Sequence, residues 1–440
     1  MSVAGNALFV SDQNGMASYL DNGTTTIFGT TTYQEYLTSQ RWHLVSPPVS
    51  GASIDVYYDI YLKEYNEPTD TWTYLVTPTT MPMNVGQGYA AWASDDYTGS
   101  TTVNYRGSLT NSNITLNSLD FTAGAAKEGF NLIGNPYPCA LDFNSNWSLT
   151  NMSGWMVIYD NGIYRGISTD GTPYNGKTDG IIPPTQGFWV RALNASGSIT
   201  IPASQRLHSN QVFYKEAKEF EFPIVRLETE VNGYNDETVV IFHPESTIGF
   251  DGYYDLSKFE NVEEAPQLYT MTLGGNYAVN YYGSDYEDRI VPVGFKTLHD
   301  GLYILEASTI SNFDSETGIY LEDLKTGTLT KLTDNPQYSF SYESGDDEHR
   351  FNLHFTKSSL SISSTQLYGM DIYAYQNTVY VKNPNLLDGY VVIYDVMGQA
   401  ITKTQMNKEE LIEIPVDRLG YYFVKVNSGE RTLTEKVFLK

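Results

Sequence analysis

The chain has 440 residues, of which 41% are hydrophobic and 14% aromatic, and its 52 acidic against 26 basic residues give a formal net charge of −26. This length exceeds one ordinary domain, and the apolar content is sufficient for several cores. The negative field repels phosphate backbones and anionic lipids, which argues against nucleic acid as a partner. The single cysteine, Cys139, excludes an intramolecular disulfide and a multi-cysteine metal site, and its apolar neighbours predict a small buried thiol.

Short alternating segments dominate the chain, and long helical periodicity is nearly absent. Examples of apolar and polar alternation are residues 102–109, 197–203 and 377–383. The 36 tyrosines, together with threonine, valine and isoleucine, favour half-buried pleated strands. Short strands with regular turns are typical of sandwiches and barrels, so we expect an all-β protein of tandem antiparallel β-sandwiches, jelly-roll or immunoglobulin-like. The one predicted helix is short and lies around residues 408–411.

The first 205 residues contain an internal repeat of sequence features. Three segment pairs match in order, and their offset rises from 88 through 94 to 99, as loop insertions in a second copy would produce. Repeated supersecondary units typically show such a pattern, so we predict a pseudo-repeat over about 41–115 and 116–205. The matched pairs are WHLVSPPVSGA (42–52) with FNLIGNPYPCA (130–140), Tyr65-Asn66 with Tyr159-Asp160, and VGQGYAAW (85–92) with PTQGFWVR (184–191).

The segment FNLIGNPYPCALDF, residues 130–143, combines Gly134, Asn135, two prolines and Cys139 between apolar runs. Glycine and asparagine tolerate positive φ, and proline removes a backbone donor, so the chain can leave its sheet here without a ligand. We predict a structural turn, and a ligand-binding loop is the alternative.

Shifts in composition predict three domains. Polar and charged residues crowd 204–221, and the serine-rich stretch 358–365 is typical of a linker. We therefore predict a β-rich domain with the pseudo-repeat at 1–205, a β-sandwich at 206–362 and an immunoglobulin-like domain at 363–440.

No catalytic constellation stands out in the sequence. The six histidines are scattered, and we find no zinc-hydrolase motif, nucleophile elbow, phosphate-binding glycine loop or dinucleotide fingerprint. We expect a protein that is not an enzyme and holds no cofactor or metal; an unmarked pair of catalytic carboxylates is the alternative. Segments 160–171 and 314–323 are rich in oxygen ligands without matching the twelve-residue calcium loop, so loosely bound calcium also stays open.

The tryptophans are the candidates for a ligand-binding site in this sequence. Exposed aromatic rings can stack on the faces of sugar rings, and Trp72 and Trp155 are the candidates for ligand binding. Trp92 and Trp189 lie in alternating strand patterns, where a core position is expected. Carbohydrate recognition is therefore an alternative function for the first domain.

The last 75 residues resemble a known family. YVVIYDVMGQAI (390–401), LGYYFVKV (419–426) and EKVFLK (435–440) are spaced as in the C-terminal sorting domain of type IX secretion cargo from Bacteroidetes, the Por secretion system. Alternation within these segments is consistent with a small antiparallel sandwich. The resemblance assigns the sorting motif to Tyr394, Asp395, Gly398, Gly420, Tyr422, Lys436, Val437 and Lys440.

Upstream segments resemble modules of the same class of proteins. GFNLIGNPYP with PTQGFWV is similar to a module of Bacteroidetes surface proteins that carry this sorting domain. Segments 250–259, 318–332 and 349–355 resemble the β-sandwich that precedes it. Neither resemblance brings a catalytic residue.

The resemblance to sorting domains implies export. Such a domain is read by the type IX translocon and removed by a sortase-like peptidase, often leaving the cargo on lipopolysaccharide at the outer membrane. The start MSVAGNALFV is not a signal peptide, so we expect a mature or truncated chain, and no stretch approaches the ~20 apolar residues of a membrane span. We expect a secreted or surface structural or adhesion protein that self-assembles or binds a glycan; the alternative is a carbohydrate-binding module of a polysaccharide-active secreted protein.

Overall fold

The computed structural model describes residues 2–12, 14–21, 25–39, 41–75, 80–93, 101–208, 221–272, 274–357, 370–375, 377–384, 386–395, 399–428 and 431–439. About 54% of the residues lie in strands and 3% in helices, which confirms the all-β prediction. The predicted linker and residues 209–220 lie outside the described residues, and the three-domain division stays a prediction. The chain divides into two compact units, Met1–Leu321 with Thr330–Thr356, and Glu322–Leu329 with Lys357–Lys440.

The first copy of the repeat forms the sheet β5-β9-β7-β8, and β2, β4, β10 and β6 form a second sheet beside it. Valine, leucine and tyrosine side chains from both sheets meet in one core, which includes Tyr33, Val45, Leu62 and Tyr105. The strands are β1 (Ser2–Val3), β2 (Ala7–Phe9), β3 (Thr26–Ile27), β4 (Thr31–Leu37), β5 (Arg41–Val45), β6 (Val49–Ser50), β7 (Tyr61–Asn66), β8 (Thr71–Leu75), β9 (Tyr89–Ala93), β10 (Thr101–Leu109) and β11 (Ile114–Leu116), with 3₁₀ turns at Ile54–Tyr57 and Glu67–Thr69.

The second copy forms the sheet β12-β19-β15-β16-β17, flanked by the small sheets β11-β20-β14 and β18-β13-β21. A 3₁₀ turn at Ala203–Gln205 precedes its last strand. The strands are β12 (Phe130–Gly134), β13 (Ala140–Asp142), β14 (Ser148–Thr150), β15 (Trp155–Asp160), β16 (Ile163–Ser168), β17 (Pro173–Tyr174), β18 (Ile181–Ile182), β19 (Gly187–Arg191), β20 (Ser198–Ile201) and β21 (Arg206–Leu207).

The two copies share one strand order and one register. Strands β12, β19, β15 and β16 repeat the order β5, β9, β7 and β8, and β17 is added at one edge. The matched segments also pair at equivalent positions, with the offsets of 88, 94 and 99 found in the sequence. The equivalent pairs are Trp42 with Trp92 and Phe130 with Arg191, Leu44 with Ala90 and Leu132 with Trp189, and Lys63 with Ala90 and Val157 with Trp189.

The copies contact each other through a reciprocal junction. Val45 bridges to Gln186, and Ile133, the equivalent of Val45, bridges to Gln87, the equivalent of Gln186. A side chain at Gly88 would place its Cβ 2.5 Å from the carbonyl oxygen of Ile133. The Gln-Gly pair found in both copies is thus needed where the two backbones approach closely.

The rest of the first unit is an 11-stranded sheet in the order β30-β29-β32-β27-β25-β26-β23-β22-β28-β31, with β24 on β26. Strands β23 and β26 of this sheet pair in parallel. The strands are β22 (Ile224–Val231), β23 (Tyr234–Phe242), β24 (Leu256–Ser257), β25 (Gln267–Thr272), β26 (Gly275–Tyr282), β27 (Arg289–Lys296), β28 (Gly301–Ser311), β29 (Thr317–Asp323), β30 (Thr328–Lys331), β31 (Gln337–Tyr342) and β32 (Phe351–Lys357).

Strand β23 is buried on both faces, which explains its continuous apolar run. Val240 and Phe242 point into the core that the 11-stranded sheet encloses. Val239 and Ile241 point the other way and pack in a core shared with the second copy, including Trp189. The second copy therefore lies against the sandwich through apolar side chains.

The second unit is a seven-stranded sandwich in the described residues. Its sheets β33-β34-β37 and β36-β35-β38-β39 enclose a core of aliphatic side chains. The helix predicted around 408–411 is wrong, because Asn407 and Lys408 adopt positive φ in a tight turn and a strand begins at Leu411. The strands are β33 (Asp371–Tyr375), β34 (Thr378–Lys382), β35 (Tyr390–Tyr394), β36 (Ala400–Gln405), β37 (Leu411–Pro415), β38 (Gly420–Ser428) and β39 (Arg431–Leu439).

Candidate functional site

The Gly-x-Tyr part of the predicted sorting motif fixes the start of β38. Gly420 has a φ of 144°, a conformation that residues with a Cβ rarely adopt. The side chain of Tyr422 is buried, and its hydroxyl donates to the carbonyl oxygen of Arg418 at 2.9 Å. This bond resembles the tyrosine corner of immunoglobulin-like sandwiches, where a strand tyrosine holds the preceding backbone.

Tyr394 is the last residue of β35, and Asp395 follows it. The backbone N–H of Asp395 donates to the carbonyl oxygen of Gln399 at 3.0 Å, and its Oδ1 accepts from the N–H of Gln399 at 2.9 Å. A short carboxylate in this position closes a turn without distortion. Gly398 and Lys440 lie outside the described residues.

The outer face of the β38–β39 hairpin is aromatic and basic. Tyr421 and Phe438 are paired residues with ring centroids 4.7 Å apart, and Phe423 beside them is also exposed. The ammonium group of Lys436 lies 4.4 Å from the centroid of the Tyr421 ring. Val437 points the other way, into the core. We call Tyr421, Phe423, Lys436 and Phe438 the hairpin face.

Trp155 is a core residue. It is 2% exposed, and its indole N–H donates to the carbonyl oxygen of Tyr254 at 2.6 Å. The ring packs in the core between the second copy and the sandwich. The prediction of Trp155 as a ligand-binding aromatic is therefore corrected, because an enclosed ring cannot stack on a ligand. Trp189 is buried in the same core.

Trp72 lies on an open aromatic face of the first copy. It is 37% exposed on β8, and its ring centroid is 5.4 Å from that of Tyr65 on the neighbouring strand. The ammonium group of Lys63 lies 4.2 Å from the ring centroid of Trp42 and 4.4 Å from that of Tyr74. Cation–π contacts of this length hold the lysine flat against the sheet.

A cleft of about 270 Å³ opens beside Trp72. One wall is the open face of the first copy, and the other comes from the β15–β16 hairpin and the segment after β24. Asn261 in that segment is buried; its Oδ1 accepts from the N–H of Tyr164 at 2.9 Å, while its Nδ2 has no hydrogen-bond partner among the described residues. We call this the aromatic cleft, and its aromatic and polar lining residues are Trp42, Lys63, Trp72, Tyr159, Tyr164, Glu260 and Asn261.

Sequence reasoning identified Trp72 alone among these lining residues. Alternation in YLKEYN of β7 and TWTYL of β8 was a usable signal, since it places Tyr61, Lys63 and Tyr65 on one face with Trp72 and Tyr74. Nothing in the local sequence marks Asn261 or Glu260, because they reach the cleft only through tertiary packing.

The segment 130–143 forms a buried turn. Nδ2 of Asn135 donates to the carbonyl oxygens of Cys139 and Pro183, both at 2.9 Å, and its Oδ1 accepts from the N–H of Tyr137 at 3.0 Å. Cys139 is fully buried, as predicted, and burial raises the pKa of its thiol to about 12. Side chain and backbone thus satisfy each other here as in a structural turn.

The oxygen-rich segments make local contacts. Asp160 pairs with Arg165 at 3.0 Å, and Oδ1 of Asp170 accepts from the N–H of Thr172 at 2.9 Å. Among the described residues, no three histidine, cysteine or acidic side chains converge as a metal site would require. Weak calcium binding stays a prediction.

A buried ion pair of the sandwich contacts the second copy through the hydroxyl of Tyr174. Nζ of Lys258 lies 2.5 Å from Oδ2 of Asp236, which also accepts from the N–H of Leu268 at 2.6 Å, and Oδ1 accepts from the hydroxyl of Tyr174 at 3.1 Å. Burial lowers the pKa of Lys258, and the attraction of Asp236 opposes that shift. The satisfied hydrogen bonds identify this cluster as structural.

A buried carboxyl group joins β4 to the second copy. Oε2 of Glu35 accepts from the hydroxyl of Tyr105 at 2.6 Å, and Oε1 accepts from the hydroxyl of Thr185 at 2.8 Å. Burial raises the pKa of Glu35 to about 8. At neutral pH the carboxyl group is therefore mostly protonated in the folded protein.

These features belong to an all-β sandwich protein whose last strands carry the residues of the predicted sorting motif. Residues 375–440 match the family described as the secretion system C-terminal sorting domain. The second unit therefore carries a type IX sorting domain, which implies export to the cell surface or the extracellular space. Residues 155–355 match a domain of unknown function, DUF8693. In the described part of the chain, every helix is too short to cross a membrane.

A curated relative comes from Porphyromonas gingivalis. The minor fimbrium subunit Mfa5 is 26% identical to the chain over 273 residues. The alignment covers 54% of this chain and 22% of that protein, so the chain corresponds to about a fifth of the relative's length.

Proposed function

We propose that this protein is a non-enzymatic structural or adhesive component of the cell surface, delivered by the type IX secretion system. The sorting domain at 375–440 carries the proposal, because its role is to direct a folded cargo across the outer membrane. Similarity to a minor fimbrium subunit supports an assembly role, which a rigid, strand-built first unit with a large sandwich core would suit. A sortase-like peptidase would remove the sorting domain and anchor the rest.

The hairpin face is the proposed contact with the translocon. Its aromatic rings are exposed although the opposite side of the same strands forms the core, and exposed aromatic residues are enriched where proteins bind partners. Lys436 adds a basic group to this surface.

Export is tested in the producing organism with the full-length gene. Deleting residues 366–440 should trap the protein in the periplasm, and mass spectrometry of the secreted wild type should place its mature C-terminus upstream of the sorting domain at 375–440. Normal secretion of the truncated protein would contradict the proposal.

Point variants test the hairpin face. Tyr421→Ser combined with Phe438→Ser should abolish most secretion without unfolding the sandwich, because both rings lie outside the core. Tyr373→Ser is the matched control, since Tyr373 is an exposed aromatic residue on the other sheet. Equal secretion of the two variants would show that the translocon does not read this face.

Assembly is tested by electron microscopy of cells with and without the gene. Filaments or a surface layer that disappear in the deletion strain and return on complementation support a structural role. An unchanged surface, together with polysaccharide hydrolysis by the pure protein, would contradict the non-enzymatic proposal.

Carbohydrate recognition is the second candidate function. The exposed ring of Trp72 beside the aromatic cleft is the observation that favours it.

A further inference from the structure

We propose that the aromatic cleft binds a neutral pyranose sugar of one or two rings. The inference deepens the proposed adhesive role, on which it rests, by assigning both a site and a class of ligand. Four observations carry it: the exposed rings, an unpartnered amide, the state of the neighbouring charges and the size of the cleft.

Aromatic rings from both copies line the cleft. Trp42 and Trp72 come from the first copy, and Tyr159 and Tyr164 come from the second. Trp72 is exposed, and the other three rings are half-buried, packed on one side against the core and retaining exposed surface on the other. A flat apolar ring face matches the C–H face of a pyranose, which is apolar and rigid. Rings of this kind also bind with little loss of conformational freedom.

The amide of Asn261 provides a directed hydrogen-bond donor. Its residue is 7% exposed, and its Oδ1 is fixed by the N–H of Tyr164, so the orientation of the amide is set. Nδ2 is then left without a partner among the described residues; the residue lines the cleft, and Nδ2 itself is almost fully enclosed behind that lining. Buried polar atoms are rarely left unpaired, because each such atom costs free energy. A ligand hydroxyl group would satisfy it.

The charges beside the cleft favour a neutral ligand. Glu260 is held by Lys296 at 2.6 Å, and Lys63 is held over the rings of Trp42 and Tyr74. Because both charged groups already have partners within the protein, neither favours a ligand of opposite charge. The net charge of −26 further disfavours an anionic glycan.

The volume limits the ligand to a small one. Sites for drug-sized molecules usually measure about 300–1,000 Å³. The cleft, at about 270 Å³, accommodates a terminal or branch residue of a glycan and leaves the rest of the chain in solvent.

The test uses the full chain on an array of neutral hexose and N-acetylhexosamine oligosaccharides, followed by calorimetry with the strongest ligand. Trp72→Ala and Trp42→Ala should each weaken binding about tenfold or more, the size of one lost aromatic anchor. Asn261→Asp keeps the Oδ1 acceptor and removes the donor, and should weaken binding in the same direction. Tyr61→Ala is the matched control, because Tyr61 is an exposed aromatic residue of the same sheet outside the cleft lining. Circular dichroism of every variant verifies the fold.

The outcomes separate the occupants. Binding lost in the cleft variants and kept in Tyr61→Ala supports the proposal. An array with no neutral sugar bound, or a bound sugar insensitive to Trp72→Ala and Asn261→Asp, overturns it. Self-association that depends on Trp42 and Trp72 would also overturn it, because a second copy would then occupy the cleft. Since secretion and assembly are measured on cells, these results do not depend on whether the proposed surface role holds.

Discussion

The two copies of the repeat share strand order and register, yet the same face is open in one and covered in the other. Tyr61 and Trp155 are equivalent residues at an offset of 94; the first is 57% exposed and the second 2%. Tyr74 and Gly166 are also equivalent, and in the second copy the glycine leaves room for Leu256 of the sandwich. The strand topology alone does not decide whether a sheet face is exposed to solvent. That depends on whether the sandwich packs against the face, as it does in the second copy.

The largest effect expected is from removing the covered ring. Trp155→Ala should destabilise the first unit toward the upper end of about 3–5 kcal/mol, because it leaves a cavity and also removes the hydrogen bond to Tyr254. Tyr61→Ala, at the equivalent open position, should cost about 1 kcal/mol or less. Urea unfolding followed by circular dichroism gives the free energy of unfolding of both variants. Equal losses would show that the sandwich does not make the covered position different from the open one.

Removing the buried ion pair of the sandwich should have the next largest effect. Lys258→Met leaves Asp236 buried without its cation and should cost about 3–4 kcal/mol. Lys296→Met breaks the exposed pair with Glu260 and should cost about 1 kcal/mol or less. Thermal unfolding of the two variants side by side gives the contrast, and a stable Lys258→Met protein would show that this buried pair contributes little to the stability of the first unit.

The reciprocal junction should be sensitive in both copies, and more so at Gly88, where an added Cβ would lie 2.5 Å from the partner backbone, than at Gly187, where it would lie 3.0 Å from it. Gly88→Ala and Gly187→Ala each force a Cβ against the partner backbone, and overpacking of this kind costs about 1–3 kcal/mol. Gly301→Ala is the control, because its Cβ would meet only ordinary contact at 3.7 Å. If one junction glycine tolerates alanine and the other does not, the two-fold equivalence of the junction is lost.

The smallest effect concerns the pH dependence that Glu35 gives to the contact between the copies. Its pKa is about 8 in the folded protein against an ordinary value of 4.5, so the folded state holds the proton longer. Stability from this group is present below pH 4.5 and is lost as the pH rises through 8. Wild type should therefore lose about 2 kcal/mol between pH 6 and pH 8, by urea unfolding at each pH.

Glu35→Gln is the matched variant for that experiment, because glutamine resembles the protonated acid and does not titrate. Its unfolding free energy should fall less over the same range. A residual slope is expected, since burial also raises the pKa of Asp255 to about 7. Identical slopes for wild type and variant would show that Glu35 titrates normally.

Local patterns predicted what depends on neighbours along the chain. The alternation of apolar residues predicted the strands. The matched segments predicted a pseudo-repeat, and its two copies share one strand order. Cys139 was correctly predicted to be buried. The sorting domain was identified because its motif consists of short segments at recognisable spacings, and the family match at 375–440 confirms it.

The remaining features depend on contacts between distant segments. Trp72 and Trp155 lie in similar strand patterns, and only the sandwich layer that covers Trp155 distinguishes them. Lys258 is a charged residue that local rules place on the surface, but Asp236 pairs with it in the core. The false helix near Lys408 arose because propensity does not reveal two consecutive residues of positive φ.

Because the chain has a single thiol, opening of the junction between the copies can be followed by alkylation of Cys139 without adding a cysteine. Cys139 follows the turn whose first residue, Gly134, donates its N–H to the carbonyl oxygen of Gly86 in the other copy at 2.9 Å. With a pKa of about 12 and no exposed surface, the thiol reacts with an alkylating reagent only while the turn is open. The alkylation rate of the native protein therefore reports how often the turn opens locally. A ligand or an assembly partner that holds the copies together should slow it.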